Sequence, residues 1–230
     1  MAIWDAFPSI AAAVRKSHEE VNLVGGHDWT HAFRVGELAR IIALNEWSAE
    51  SISHQAGISG LCHNADRILE KRLGKGNITP GDIEKLVASW LTGINMDAPA
   101  SVTITTAVQK HDARNDPNDG PVLMALMDAD RVVNLDIDLL PRSGQYYHNL
   151  PVVDYRHFLG DPEATYRSPK SVFRDIAYSL DWVDPSCPYC LRTRLGKSMA
   201  NARAVLIRYL FEVMKTQLAE EGMEIPFHKE

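Results

Sequence analysis

This chain has few cysteines, no long apolar run and no excess of positive charge. Three cysteines, an odd number, do not build a closed disulfide framework and suit a reducing compartment. No stretch approaches the roughly 18 consecutive apolar residues of a membrane helix. Residues Met1 to Ser9 hold Trp4, Asp5 and Pro8 where a secretion signal would place a basic start and an apolar run, so the sequence reads as cytoplasmic with no membrane partner. A formal net charge of −6 excludes the broad cationic footprint of non-specific nucleic-acid binding. A small phosphorylated ligand needs only a few local cations and stays open. Hairpin dipeptides between alternating apolar positions are also scarce, which argues against β structure.

What is present is ordinary for a globular chain: 45% hydrophobic and 23% charged residues over a length of 230, enough to bury one core without staples. One domain is expected. Apolar residues recur at helical spacing, so the fold class is all-α. Ile10, Val14 and Val21 mark a first amphipathic helix. Phe33, Val35, Leu38, Ala39 and Ile42 mark a second, directly after Gly25-Gly26, and Ile52, Ala56, Ile58, Ser59 and Cys62 a third that ends near His63 or runs on toward Leu69. Thr79-Pro80-Gly81-Asp82 combines a hydroxyl cap, an early proline and an acid three residues after the cap, a strong helix start. Val102 to Thr106 is β-branched and by propensity alone would be a strand, but its neighbours favour helix. Val122 to Leu135 is apolar on both sides, as in a central helix, so its Asp128 is buried and needs a partner. Beyond Pro141 comes an aromatic stretch from Tyr146 to Phe158, then a short helix over Phe173 to Leu180 and a long final one over Leu191 to Leu218. No internal repeat or flexible linker divides the chain, so residues 141–230 read as a helical elaboration of a core spanning about 17–135.

Three separated strings carry chemistry: His27-Asp28-Trp29-Thr30-His31, His63-Asn64, and Asp128-Ala129-Asp130-Arg131. Imidazole and carboxylate together form the mixed nitrogen and oxygen site that divalent transition metals favour. On the opening turns of one helix, His27 and His31 at i and i+4 share a face. A plainer reading of His27 is a helix-start residue, with Asp28 placing negative charge at the amino-terminal dipole.

The strings Gly26 to Val35, Leu61 to Asn64 and Met127 to Arg131 resemble the HD superfamily of metal-dependent phosphohydrolases, over roughly residues 17–135. The resemblance implies an HD-type helical bundle, a divalent metal ion (Mn, Fe, Co, Ni, Zn or Mg), and hydrolysis of a nucleotide or other small phosphorylated metabolite, with a homo-oligomer possible. It assigns the metal to His31, His63, the position held by Asn64, and Asp128. Through a similar string in cyclic-nucleotide phosphodiesterases it offers His27 as general acid. The inherited logic is that the ion acidifies water, so that hydroxide can attack phosphorus, and neutralises phosphoryl charge. Arg34, Lys110, Arg114 and Arg131 are candidate phosphate cations, each with an ordinary salt-bridge reading beside it. His111 is a candidate to line the site or to orient a ligand.

The chain departs from the family at two positions. Asn64 stands where the family has Asp, which removes a negative charge and leaves a weaker neutral ligand. Arg67 stands three residues on, where many members have an acid. Asp66 is about 200° around a helix from Asn64 and is no simple substitute. The alternative function is therefore a catalytically impaired HD-fold protein that binds a nucleotide or acts as a regulator. Separately, Cys187-Pro188-Tyr189-Cys190 is similar to the glutaredoxin redox string but lacks the surrounding βαβ pattern. A turn with two free thiols is the plain reading, with a disulfide or a metal clip completed by Cys62, His148 or His157 as alternatives.

Overall fold

The helix starts follow from local sequence. The Asp28 carboxylate accepts the His31 amide hydrogen at 2.8 Å, Asp97 accepts that of Ala100 at 2.8 Å, and Thr79 and Asp82 form a reciprocal capping box. The computed structural model describes residues 1–154, 163–166 and 168–223. Within them run α1 (Ile3–Ala6), α2 (Pro8–Glu20), α3 (Trp29–Trp47), α4 (Glu50–Cys62), α5 (Ala65–Leu73), α6 (Pro80–Leu91), α7 (Ala98–Lys110), α8 (Pro121–Val133), α9 (Leu139–Tyr146), α10 (Val172–Tyr178) and α11 (Arg194–Glu220), with 3-10 turns at Gly25–His27 and Ser179–Val183. Among the described residues there is no strand beyond an isolated bridge between Thr165 and Ser168. The protein is all-α.

Glycines set the central crossing. A Cβ on Gly60 would sit 2.5 Å from the Gly36 Cα, and one on Gly36 would sit 2.9 Å from the Gly57 carbonyl oxygen, so α3 and α4 meet backbone to backbone. That approach brings the end of α4 beside the opening turns of α3. α8 packs across both and is buried on nearly every side, including Leu126, Met127, Asp128 and Ala129. One apolar cluster joins α3, α8, α10 and α11, and a second joins α1, α2, α4, α5, α6 and α7.

The β-branched run from Val102 to Thr106 is helical: Ile104, Thr105, Ala107 and Val108 give α7 a buried stripe, and tertiary burial outweighs propensity. The helix expected to run through or end near His63 ends at Cys62, and α5 begins at Ala65. α1 and α9 were not anticipated, and the last helix begins at Arg194, later than expected. Tyr146 closes α9, while Tyr155, His157 and Phe158 lie outside the described residues. Among the described residues no helix is long and apolar enough to cross a membrane.

Candidate metal centre

Three helices contribute one side chain each to a buried polar group. His31 sits in the first turn of α3, His63 caps the end of α4, and Asp130 faces them from α8. His31 Nε2 lies 3.1 Å from Asp130 Oδ1, His63 Nε2 lies 3.8 Å from the same oxygen, and the two imidazole centroids are 5.1 Å apart. One ligand atom from each falls within 4.8 Å of the others, so the group could hold a metal ion.

The protonation pattern suits that role. His63 Nδ1–H donates to the Gly60 carbonyl at 2.7 Å, which fixes the tautomer and turns the Nε2 lone pair toward Asp130. That Nε2 is fully buried without a hydrogen-bond partner, an orphaned acceptor that a cation would satisfy. Burial drives the His63 pKa well below its ordinary value, so the ring is neutral, as a ligand must be. Burial alone would raise the Asp130 carboxyl, but the hydrogen bond from His31 and the imidazoles around it outweigh this and hold the group below the usual carboxylate range. Two imidazoles and a carboxylate fit a divalent transition metal and leave further coordination positions open.

The expected ligand Asp128 is elsewhere. Its Oδ2 accepts the backbone amides of Arg192 and Thr193 at 2.9 and 2.6 Å and the Thr193 hydroxyl at 2.7 Å, while Oδ1 lies 3.8 Å from Arg131. Two residues apart on a helix is about 200°, so Asp128 and Asp130 face opposite ways, and Asp130 takes the place assigned to Asp128. Asn64 also behaves differently from a ligand. Its Nδ2 donates to the His27 carbonyl at 3.1 Å and lies 3.3 Å from His18 Nε2. His18 donates Nδ1–H to the Val14 carbonyl at 2.8 Å, which leaves Nε2 to accept. The amide is thus a donor tether between α2 and the Gly25–His27 turn, which a carboxylate could not be.

His27 lies in that turn, before the Asp28 cap, so the shared helical face assumed for His27 and His31 does not exist. Its ring still comes within 6.2 Å of His31 and 5.5 Å of Tyr146, centroid to centroid. Burial and the nearby Arg67 charge lower its pKa to about 3, so in the ligand-free protein it is a neutral imidazole rather than a cationic acid. His111 repeats the His63 arrangement: it caps α7, donates Nδ1–H to the Val108 carbonyl at 2.7 Å, and places its ring 5.4 Å from His63.

The anticipated phosphate cations are not gathered at the site. Arg34 is engaged by Asp136 and Asp138. Arg131 donates to Asn115 Oδ1 at 2.9 Å and to the Cys190 carbonyl at 3.2 Å. Lys110 is exposed at the end of α7, and Arg114 is exposed in the loop beyond it. Two other arginines approach instead. Arg142 from α9 donates to the Val133 carbonyl at 3.1 Å and Asn134 Oδ1 at 3.2 Å, and its NH1 lies 3.3 Å from His31 Nδ1. With Nδ1 accepting from Arg142, His31 carries its proton on Nε2 and donates it to Asp130, so loading an ion displaces that proton. Arg67, 29% exposed at its side chain, is held by Glu70 at 3.2 Å and Asp66 at 3.5 Å, and its charge acts on His27, Tyr147 and Tyr166. A cavity of about 340 Å³ lined by His18, Glu19, Asp28, Trp29 and neighbours adjoins the Asn64 tether through His18 and contains none of the three donors.

No family model matches the chain, and no curated protein matches it. Among solved structures, the crystal structure of a Lactobacillus plantarum protein from the Northeast Structural Genomics effort is similar, with a TM-score of 0.64 and 16% identity over 93% of this chain and 97% of that one. At that identity the likeness is one of fold: the same helical architecture accommodates a very different sequence.

Proposed function

We propose that the chain is a metal-dependent phosphohydrolase of the HD kind, acting on a nucleotide or another small phosphorylated metabolite. The observation that carries this reading is the orphaned His63 Nε2, buried beside His31 Nε2 and Asp130 Oδ1 in one group of 4.8 Å extent. His31, His63 and Asp130 would hold the ion. When bound, the ion supplies Lewis acidity toward a phosphoryl oxygen and lowers the pKa of water. Arg142 sets the orientation of the His31 ring. Arg67 brings positive charge where the resembled family has an acid and attracts the phosphate. His27, a neutral imidazole beside His31, and His111, beside His63, accept or return a proton at the reacting oxygens.

The test is elemental analysis of protein loaded with Mn, Co, Ni or Mg, followed by a phosphatase screen over nucleotides. Turnover that vanishes with His63→Ala while the fold persists supports the reading; absence of bound metal under every loading condition overturns it. A second reading, a phosphate-binding protein without turnover, is favoured by the Asn64 tether, which leaves three strong donors. Tight nucleotide binding with no hydrolysis under any metal would select it.

A further inference from the structure

The Cys187-Pro188-Tyr189-Cys190 segment has no part in the metal centre, yet it is tightly organised. The Cys190 amide donates to the Cys187 carbonyl at 2.9 Å, closing a β-turn with Pro188 and Tyr189 at its centre. The ends of such a turn lie within about 7 Å, Cα to Cα. A disulfide spans about 4.4–6.8 Å between the same atoms. Both thiols are free and half-buried. Each faces a donor: the Tyr189 amide lies 3.4 Å from Cys187 Sγ, and Asn115 Nδ2 lies 3.8 Å from Cys190 Sγ. The Arg131 guanidinium on the Cys190 carbonyl adds positive charge that favours a thiolate, and burial works against it by pushing the Cys187 thiol up.

The turn is also a clamp. The Asn115 amide donates to the Pro188 carbonyl at 2.9 Å, and Asn115 Nδ2 donates to the Cys190 carbonyl at 2.7 Å. Asn115 belongs to the loop that follows His111 and leads into α8, so the turn holds that loop in place. We infer that Cys187 and Cys190 are a redox modification site, closing to a reversible disulfide with a low-molecular-weight disulfide as oxidant and releasing the Asn115 clamp as they do so. The Cys187 thiolate attacks one sulfur of the oxidant, forming a mixed disulfide and expelling a thiolate. The Cys190 thiolate then attacks the Cys187 sulfur and expels the second. Two thiols are oxidised, one disulfide is reduced, and two protons end on the released thiols. Closing the ring draws each Sγ away from its donor, which leaves the Tyr189 amide and the Asn115 side chain without those partners and turns the Cys190 carbonyl.

The full-length native chain treated with glutathione disulfide, then alkylated, tests this by intact mass and peptide mapping. The expected product is lighter by two hydrogens, takes up two fewer alkyl groups, links Cys187 to Cys190, and reverts with dithiothreitol. Amide hydrogen exchange at Asn115 should then quicken about tenfold, by local opening. A stable glutathione adduct on either cysteine, or oxidation only after unfolding in urea, overturns the disulfide; a disulfide with unchanged exchange at Asn115 overturns the clamp. Cys190→Ser should stop at the glutathione adduct on Cys187, and a variant that still loses two hydrogens would show a different pairing.

Discussion

Two carboxylates two residues apart on α8 have opposite occupations. Asp128 is completely buried, and its Oδ2 is saturated by two amides and a hydroxyl at the start of α11, where a Cβ on Gly196 would come 3.0 Å from that oxygen. Asp130, with a side chain 23% exposed, meets two imidazole nitrogens and the Asn134 amide at 3.1 Å, and the hydrogen bond it shares with His31 is one that an ion would replace. The first surroundings are fixed by the three hydrogen bonds to Oδ2, while Oδ1 makes none and faces the Arg131 guanidinium at 3.8 Å. The second hold an acceptor without a donor, His63 Nε2, and so are ready for a ligand. Both carboxylates have an unpartnered buried atom at hand, and the kind of atom separates them: beside Asp130 it is a neutral imidazole nitrogen that a cation would satisfy.

The largest effect should come from exchanging the two. Asp128→Ala strands the Arg192 and Thr193 amides and leaves the buried Arg131 without its acid, at a cost of about 3–5 kcal/mol by denaturant unfolding. Metal bound per folded chain should be unchanged. Asp130→Asn keeps an oxygen for the His31 hydrogen bond, so its cost in stability is about 1 kcal/mol. Its metal affinity, read by titration calorimetry, should fall about 100-fold or more, because the anionic donor of the group is lost. Equal metal affinity in Asp130→Asn and the parent would dissolve the comparison.

Asn64→Asp sharpens it next. A carboxylate at this position faces the His27 carbonyl where the amide now donates at 3.1 Å, so the metal-free variant should lose about 1–3 kcal/mol. The added negative charge beside His63 should strengthen metal binding about tenfold, and metal should restore more melting temperature to the variant than to the parent. An equal metal-induced rise in melting temperature in both would remove position 64 from the neighbourhood of the ion.

The fold was largely legible because it rests on local signals: the Thr79 capping box, the 3.6-residue apolar stripes, and the doubly apolar α8. The candidate metal group was legible only in part. His31 and His63 are where the resemblance puts them, but α8 is apolar on both sides, so periodicity gives no direction and cannot choose Asp130 over Asp128. Asn134 one turn beyond Asp130 and Arg131 three residues beyond Asp128 were the available clues, since each supports the acid on its own face. Arg142 and Tyr146 come to the site from α9, across a chain separation that no local pattern encodes. Arg34 and Arg131, read as phosphate cations, are both already engaged, the first by the half-buried Asp136 and Asp138 and the second by Asn115 Oδ1 and the Cys190 carbonyl.

Arg67 differs from these two because its partners sit on its own helix and leave its charge acting on the site. Arg67→Gln should weaken inorganic phosphate about tenfold, seen by calorimetry at low salt, with metal content unaltered. A parallel loss of metal would make Arg67 a support for the ligands instead.

The smallest effect concerns a third carboxylate, the half-buried Asp175 on α10, which has neither the amides of Asp128 nor the imidazoles of Asp130. It accepts one hydroxyl hydrogen bond, from Ser143 at 2.7 Å, and burial raises its pKa to about 6. An unfolded Asp titrates near 3.9, so between roughly pH 4 and 6 the folded chain binds more protons than the unfolded one, and stability falls as pH rises through that window. Above it the destabilisation is complete, and at about 1.4 kcal/mol per pKa unit it is at most a few kcal/mol, reduced to roughly 1–2 by partial exposure. Asp175→Asn keeps an oxygen for Ser143 and carries no charge. Its melting temperature should match the parent near pH 4 and exceed it near pH 7, with other carboxylates cancelling because the two proteins are compared at each pH. A difference that stays flat across the window would mean that Asp175 is ionised without penalty, and that burial on α10 is as well compensated as it is on α8.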